Sequence, residues 1–145
     1  MTDADIALAA SAGTPSPIGV EGEYVPGVCN IGPAEIASRR RAGHTGVISA
    51  VALLAILVAV DAPPITRLLI FLPVAVGASG YLQAYLKFCA GFGSRGILNF
   101  GEVGTTQHVP DAPSRALDRA KANRIMLASF GIGIAVAVVA VVLPV

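Results

Sequence analysis

Three long apolar runs, each bounded by charge or proline, organise this chain. The first, "TGVISAVALLAILVAV" at residues 45–60, has neither charge nor proline. His44 and Asp61 mark its ends, and Pro63 and Pro64 cannot continue a helical hydrogen-bond ladder. The second covers residues 67–90 and is uncharged from 68 to 86; Pro73 predicts a kink in it. The third, "IMLASFGIGIAVAVVAVVLPV", fills residues 125–145. A bilayer core about 30 Å thick is crossed by about 20 apolar residues in a helix. The pattern therefore predicts an all-α membrane protein with three transmembrane helices, at about 45–60, 67–90 and 125–145.

The polar stretches fill in the plan. Residues 1–28, rich in Ala, Gly, Ser and Pro, read as a flexible tail that buries too little apolar surface to offset its ordering entropy. Residues 29–145 then form a single membrane domain. "NIGPAEIASRRRAGH" reads as a helix with Pro33 at its first position and Glu35 in its first turn, where the dipole favours a negative charge. It either breaks at Gly43 or runs on into the first span. "DAPSRALDRAKANR" reads as a polar helix capped by Asp111 and flowing into the third span. Between them, "GFGSRGILNFGEVGTTQHVP" reads as a Gly-rich loop in which Gly91 and Gly93 stop the second helix.

Charge sets the threading. Only 13% of the 145 residues are charged, about half the usual share in a soluble domain, at roughly 25%. Nine of the ten basic residues flank the spans on one side: Arg39, Arg40 and Arg41, then Lys87, Arg95, Arg115, Arg119, Lys121 and Arg124. Only Arg67 lies on the other. Loops rich in Lys and Arg stay cytoplasmic. The expectation is a plasma (inner) membrane protein with its N-terminus in the cytoplasm and its C-terminus outside. Arg39, Arg40, Arg41, Arg119, Lys121 and Arg124 would lie at the lipid headgroups. A start at "MTDADIALAASAGTPSP" lacks the cationic opening of a secretory signal. With a net charge of +1 and few aromatics, no nucleic-acid partner is expected.

Candidate chemistry is sparse. Gly91-Phe-Gly-Ser-Arg-Gly96 has dinucleotide-fingerprint spacing, but it follows a membrane helix rather than a strand, and no acidic residue stands at the required distance. No cofactor is expected. Cys29, His44, Cys89 and His108 are the only cysteines and histidines, all on the expected cytoplasmic side. They could make a tetrahedral metal site, although their spacing fits no compact finger. Cys29 and Cys89 could also act as a thiol pair, transient in a reducing compartment. No Asp, Glu or His lies near the middle of a span, which argues against a proton-coupled transporter. Small residues spaced by four mark packing faces: Gly80 and Ala84; Ser129, Gly133 and Ala137; Gly131 and Ala135.

At "RRRAGHTGVISAVALLAILVAV" and "FLPVAVGASGYLQAYLKFCAGFG" the chain resembles the small YgaP-like inner-membrane domain. In that family a basic stretch leads into a two-helix hairpin whose second helix ends in Phe-Cys followed by Gly; Phe88, Cys89 and Gly91 hold those places here. The resemblance covers residues 39–96 and implies a membrane hairpin, while many members of the family have no assigned activity. The leading expectation is a multi-pass membrane protein of structural, accessory or assembly role, bound to lipid and to other membrane subunits or to itself. It is not expected to be an enzyme. The alternatives are a thiol or metal protein at the cytoplasmic face, and an oligomeric channel or transporter.

Overall fold

The computed structural model describes residues 23–145; the first 22 residues of the expected tail lie outside that range. Helix α1 is Pro33–Ala59. A 3₁₀ segment, Pro64–Ile70, runs directly into α2, Phe71–Tyr85. A short helix α3, Ala90–Arg95, and a two-residue antiparallel pair, β1 (Ile97–Leu98) with β2 (Gln107–His108), precede α4, Ala112–Val142. Three of these stretches, Pro33–Ala59, Pro64–Tyr85 and Ala112–Val142, are long and apolar enough to cross a membrane.

The helix starts follow local chemistry. Gly32 precedes α1, Pro33 stands at its first position, and the helix runs unbroken through Gly43. Asp111 caps α4 by accepting a 2.8 Å hydrogen bond from the Ser114 N–H; hydrogen bonding by Ser114, its side chain first and its backbone second, holds the carboxyl below the usual carboxylate range.

The helix ends differ from the sequence reading. α1 stops at Ala59, ahead of the prolines. Asp61 turns left-handed (φ 57°), and the Asp61 and Ala62 N–H groups reach back to the Val58 and Leu57 carbonyls. α2 stops at Tyr85 in the same way: Lys87 is left-handed (φ 53°), with Lys87 N–H on Ala84 O and Phe88 N–H on Gln83 O. Both are Schellman ends, built here without glycine. Gly91 and Gly93 therefore do not end the second helix. They lie inside α3, which ends at left-handed Gly96 (φ 68°). Pro73 lies in the first turn of α2, where a missing N–H costs no helical bond.

α2 is the central element. α1 packs along one side of it and α4 along the other, both antiparallel to it. The α1–α2 crossing is glycine against glycine. A Cβ on Gly46 would run into the Gly77 backbone, and one on Gly80 into the Gly43 backbone. Such close approach of two backbones gains van der Waals contact that larger side chains would prevent. The α2–α4 contact is looser: a Cβ on Gly133 would meet Ala75 Cβ and the Phe71 ring at 3.0 Å.

Most aliphatic side chains of the three helices point outward. Val47, Ile48, Val51, Ile56, Leu72, Leu127 and Ile134 are all exposed, and only 17–28% of each apolar window is buried. Interior positions instead carry small residues and, at one end, polar ones.

Candidate functional site

The start of α1, the end of α2 and the start of α4 meet at one end of the bundle, where residues 24–31 and 87–111 form a cap. Asn30, fully buried, is its hub. The side chain embraces Cys89: its Oδ1 accepts from Cys89 N–H (2.7 Å), and its Nδ2 donates to Cys89 O (3.1 Å). Its backbone N–H donates to Lys87 O, and its carbonyl accepts from Asn99 N–H. Three distant segments thus close on one residue. Gln83 adds a fourth tie by accepting from Ala90 N–H at 2.9 Å. These bonds turn the chain sharply after Tyr85, which explains why α2 ends five residues earlier than its apolar run suggested.

Glu35 and Asp118 secure the rest. Glu35 is 2% exposed. It accepts from Asn99 Nδ2 (3.0 Å) and Gly104 N–H (3.4 Å), and pairs with Arg39 at 3.3 Å, the one ion pair among the described residues. Asn99 Oδ1 in turn accepts from Gly101 N–H and Thr105 Oγ1, so the 99–105 loop closes on itself. Arg39 also lies over the Phe92 ring, 5.7 Å from its centroid. Asp118, fully buried, accepts from Tyr24 Oη (2.8 Å) and Gly27 N–H (2.7 Å). Desolvation, then the hydrogen bond and charge of Asp118, push the Tyr24 phenol above its usual pKa. Residues 24–28, expected as tail, are therefore folded onto α4. Buried carboxylates left unpaired would be costly, and here each is satisfied.

No disulfide joins the cysteines, and no metal-sized group gathers them with the histidines among the described residues. Both thiols are free, with Cys89 buried and Cys29 half-buried. Cys29 lines a cavity of about 350 Å³ with Arg40 and Lys87. His44 leaves toward α2, its Nδ1 2.5 Å from Tyr81 Oη and its ring edge-on to the Tyr81 ring. His108 is exposed in β2. Among the described residues no three of His, Cys, Asp or Glu form a metal-sized cluster.

The small-residue faces divide. Gly80 and Ala84 are buried, Gly80 against the α1 backbone. Ser129, Gly133 and Ala137 are buried on α4, and Ser129 Oγ donates to Ile125 O. Gly131 and Ala135 are exposed, with nothing near Gly131 for a Cβ to meet. The partners of Gly77 and Gly80 on α1, Gly46 and Gly43, were not singled out from sequence. The signal was present as matched G-x-x-G pairs, "GHTG" at 43–46 and "GASG" at 77–80.

At the opposite end Arg67, 4% exposed, closes the C-terminal end of α4. Its guanidinium donates to Ala140 O (3.0 Å) and Leu143 O (2.9 Å), and also to Val145 O. A cation here meets both the unpaired carbonyls and the negative end of the helix dipole. Between the two ends an apolar cavity of about 490 Å³ opens on one face of α2, walled by Val47, Val51 and Leu54 of α1 and by Ile132 and Val136 of α4. Comparison with family models, curated proteins and solved structures found no match.

Proposed function

We propose that this protein is a small three-span membrane protein of structural, accessory or assembly role, a subunit of a membrane complex, with the cap in the cytoplasm and the Arg67 end outside. The observation that carries the reading is the division of surfaces. Outward positions on all three helices are aliphatic, as a bilayer requires, while the buried polar groups of the cap are used to hold the chain together. Nine basic residues surround the cap, and the single one at the far end is occupied with α4 carbonyls, in keeping with a cytoplasmic cap. The test is alkaline extraction of membranes followed by purification in mild detergent at native abundance. The reading expects retention in the membrane fraction and co-purification of defined membrane subunits; release by alkali would overturn it.

A second reading rests on Cys29, whose cavity also presents Arg40 and Lys87. Cys29 is the partly open thiol and Cys89 the buried one, so a thiol reaction at the cytoplasmic face would fall to Cys29. It predicts that alkylation at neutral pH goes to Cys29 well before Cys89, and equal rates would remove it.

A further inference from the structure

Ile70 at the end of the 3₁₀ segment, Val74, Ala78 and Leu82 on one face of α2, and Leu86 just past its end are spaced by four and so stack in a line. The first four line the apolar cavity of about 490 Å³, and Leu82 and Leu86 line a second of about 110 Å³ toward the cap. Leu82 belongs to both, so the two form one groove. Its α4 wall descends through Ile125, Ala128, Ile132 and Val136. At its top stand Lys121 and Arg124.

Those two cations are uncompensated. The nearest acid along α4, Asp118, is turned away and fully buried, with its oxygens engaged by Tyr24 and Gly27. Asp111 is committed to Ser114 at the start of the helix. Among the described residues no carboxylate pairs with Lys121 or Arg124. They also immediately precede the uncharged run from 125, which places them at the headgroup boundary of a helix that crosses a bilayer. From Ile125 to Val136, the apolar α4 wall, is about 17 Å at 1.5 Å per residue. One leaflet of a core about 30 Å thick is close to that depth. A groove with an anion-seeking mouth and an apolar shaft one leaflet deep matches one kind of occupant.

We propose that this groove is a binding site for an anionic phospholipid, with an acyl chain along α2 and α4 and the phosphate at Lys121 and Arg124. The proposal rests on the membrane reading above. A second copy of the chain would offer a helix to the apolar shaft but no required anion at the mouth.

The test reconstitutes the full chain in vesicles of equal phosphatidylglycerol and phosphatidylcholine. An alkaline wash comes first: release from the vesicles would end the membrane reading and this site with it. Retained protein is then extracted and its bound lipid counted by native mass spectrometry. The wild type is expected to hold one phosphatidylglycerol in preference to phosphatidylcholine by roughly thirtyfold, at about a fivefold share per cation. Lys121→Gln with Arg124→Gln should abolish the preference. Arg95→Gln with Arg119→Gln, an equal loss of charge away from the groove, should keep it. Ala128→Trp, which fills the shaft, should lower retention of both lipids. Equal preference in the two double variants would overturn the site while leaving the membrane reading intact. So would a lipid-free dimer that Ala128→Trp dissociates.

Discussion

The cap and the spanning layer are built from one chain by opposite means. In the cap, buried Asn30, Glu35, Asn99 and Asp118 hold segments that are far apart in sequence, through directional hydrogen bonds. In the layer, side chains at the α1–α2 crossing almost disappear, and Gly43, Gly46, Gly77 and Gly80 bring backbone against backbone. The difference follows the surroundings each part is built for. Against water the cap gains by burying residues such as Phe88 and Ile31, and it must then satisfy every polar group taken in with them. In the membrane placement proposed above, an aliphatic side chain gains little by turning inward, which accounts for valines and isoleucines left outside and a layer that gains from contact alone.

The contrast breaks most visibly at Gly46. Gly46→Leu forces a side chain into the Gly77 backbone, and a loss of about 3 kcal/mol or separation of the hairpin is expected from overpacking. Gly133→Ile, which meets only the Ala75 methyl and the Phe71 ring, should cost less, about 1–2 kcal/mol. Gly131→Leu, with open space around it, should stay within about 0.5 kcal/mol. Thermal unfolding in detergent ranks the three; equal values would mean that close approach does not hold the layer together.

The cap should fail differently. Asn30→Ala leaves Cys89 N–H buried without a partner, while Cys89 O keeps the Gly93 N–H, and a cost of about 2 kcal/mol is expected. The loss should be local: amide exchange should quicken at 97–109 while residues 71–85 keep their protection. Uniform quickening would make cap and layer one cooperative unit.

Tyr24 gives a smaller effect than Asn30, and one that depends on pH. Its phenol pKa is raised in the folded protein, by burial first and then by Asp118. The folded state therefore holds the proton more tightly than the unfolded one. The contribution is fully present below the ordinary phenol value of about 10 and is lost as pH rises beyond it. Tyr24→Phe should cost about 1 kcal/mol at neutral pH and should flatten the alkaline decline in cap stability. A decline of unchanged steepness in the variant would assign it to another group.

How much of this was legible follows the same division. The three long apolar helices were readable because an uncharged run approaching 20 residues favours a continuous helix long enough to cross a bilayer core. Pro33 and Asp111 announce helix starts through their own covalent chemistry. The end of α2 was not readable. Beyond Lys87 the sequence turns apolar again at Phe88-Cys89-Ala90, and it is the bonds from Asn30, more than fifty residues earlier in the chain, that hold this segment out of the helix. Glu35 looked like a first-turn charge answering the helix dipole. Its burial depends on Asn99 arriving from a loop without periodicity. Asp118 stood out only as the one acid within "RALDRAKANR", and its partners lie in a segment that composition marks as tail. Directional bonds between distant segments leave no periodic trace, whereas packing in the layer leaves one in the glycine spacings.

The central claim is that the two ends of the bundle face opposite sides of a membrane, the cap inside. It is tested most directly by single cysteines in a chain carrying Cys29→Ser and Cys89→Ala. Asp61→Cys lies in the exposed turn between α1 and the 3₁₀ segment, and Glu102→Cys in the exposed part of the cap loop. Intact cells are treated with a membrane-impermeant maleimide. The account predicts labelling at 61 in intact cells and at 102 only after permeabilisation. Labelling of 102 in intact cells, with 61 protected or labelled alongside it, would contradict it.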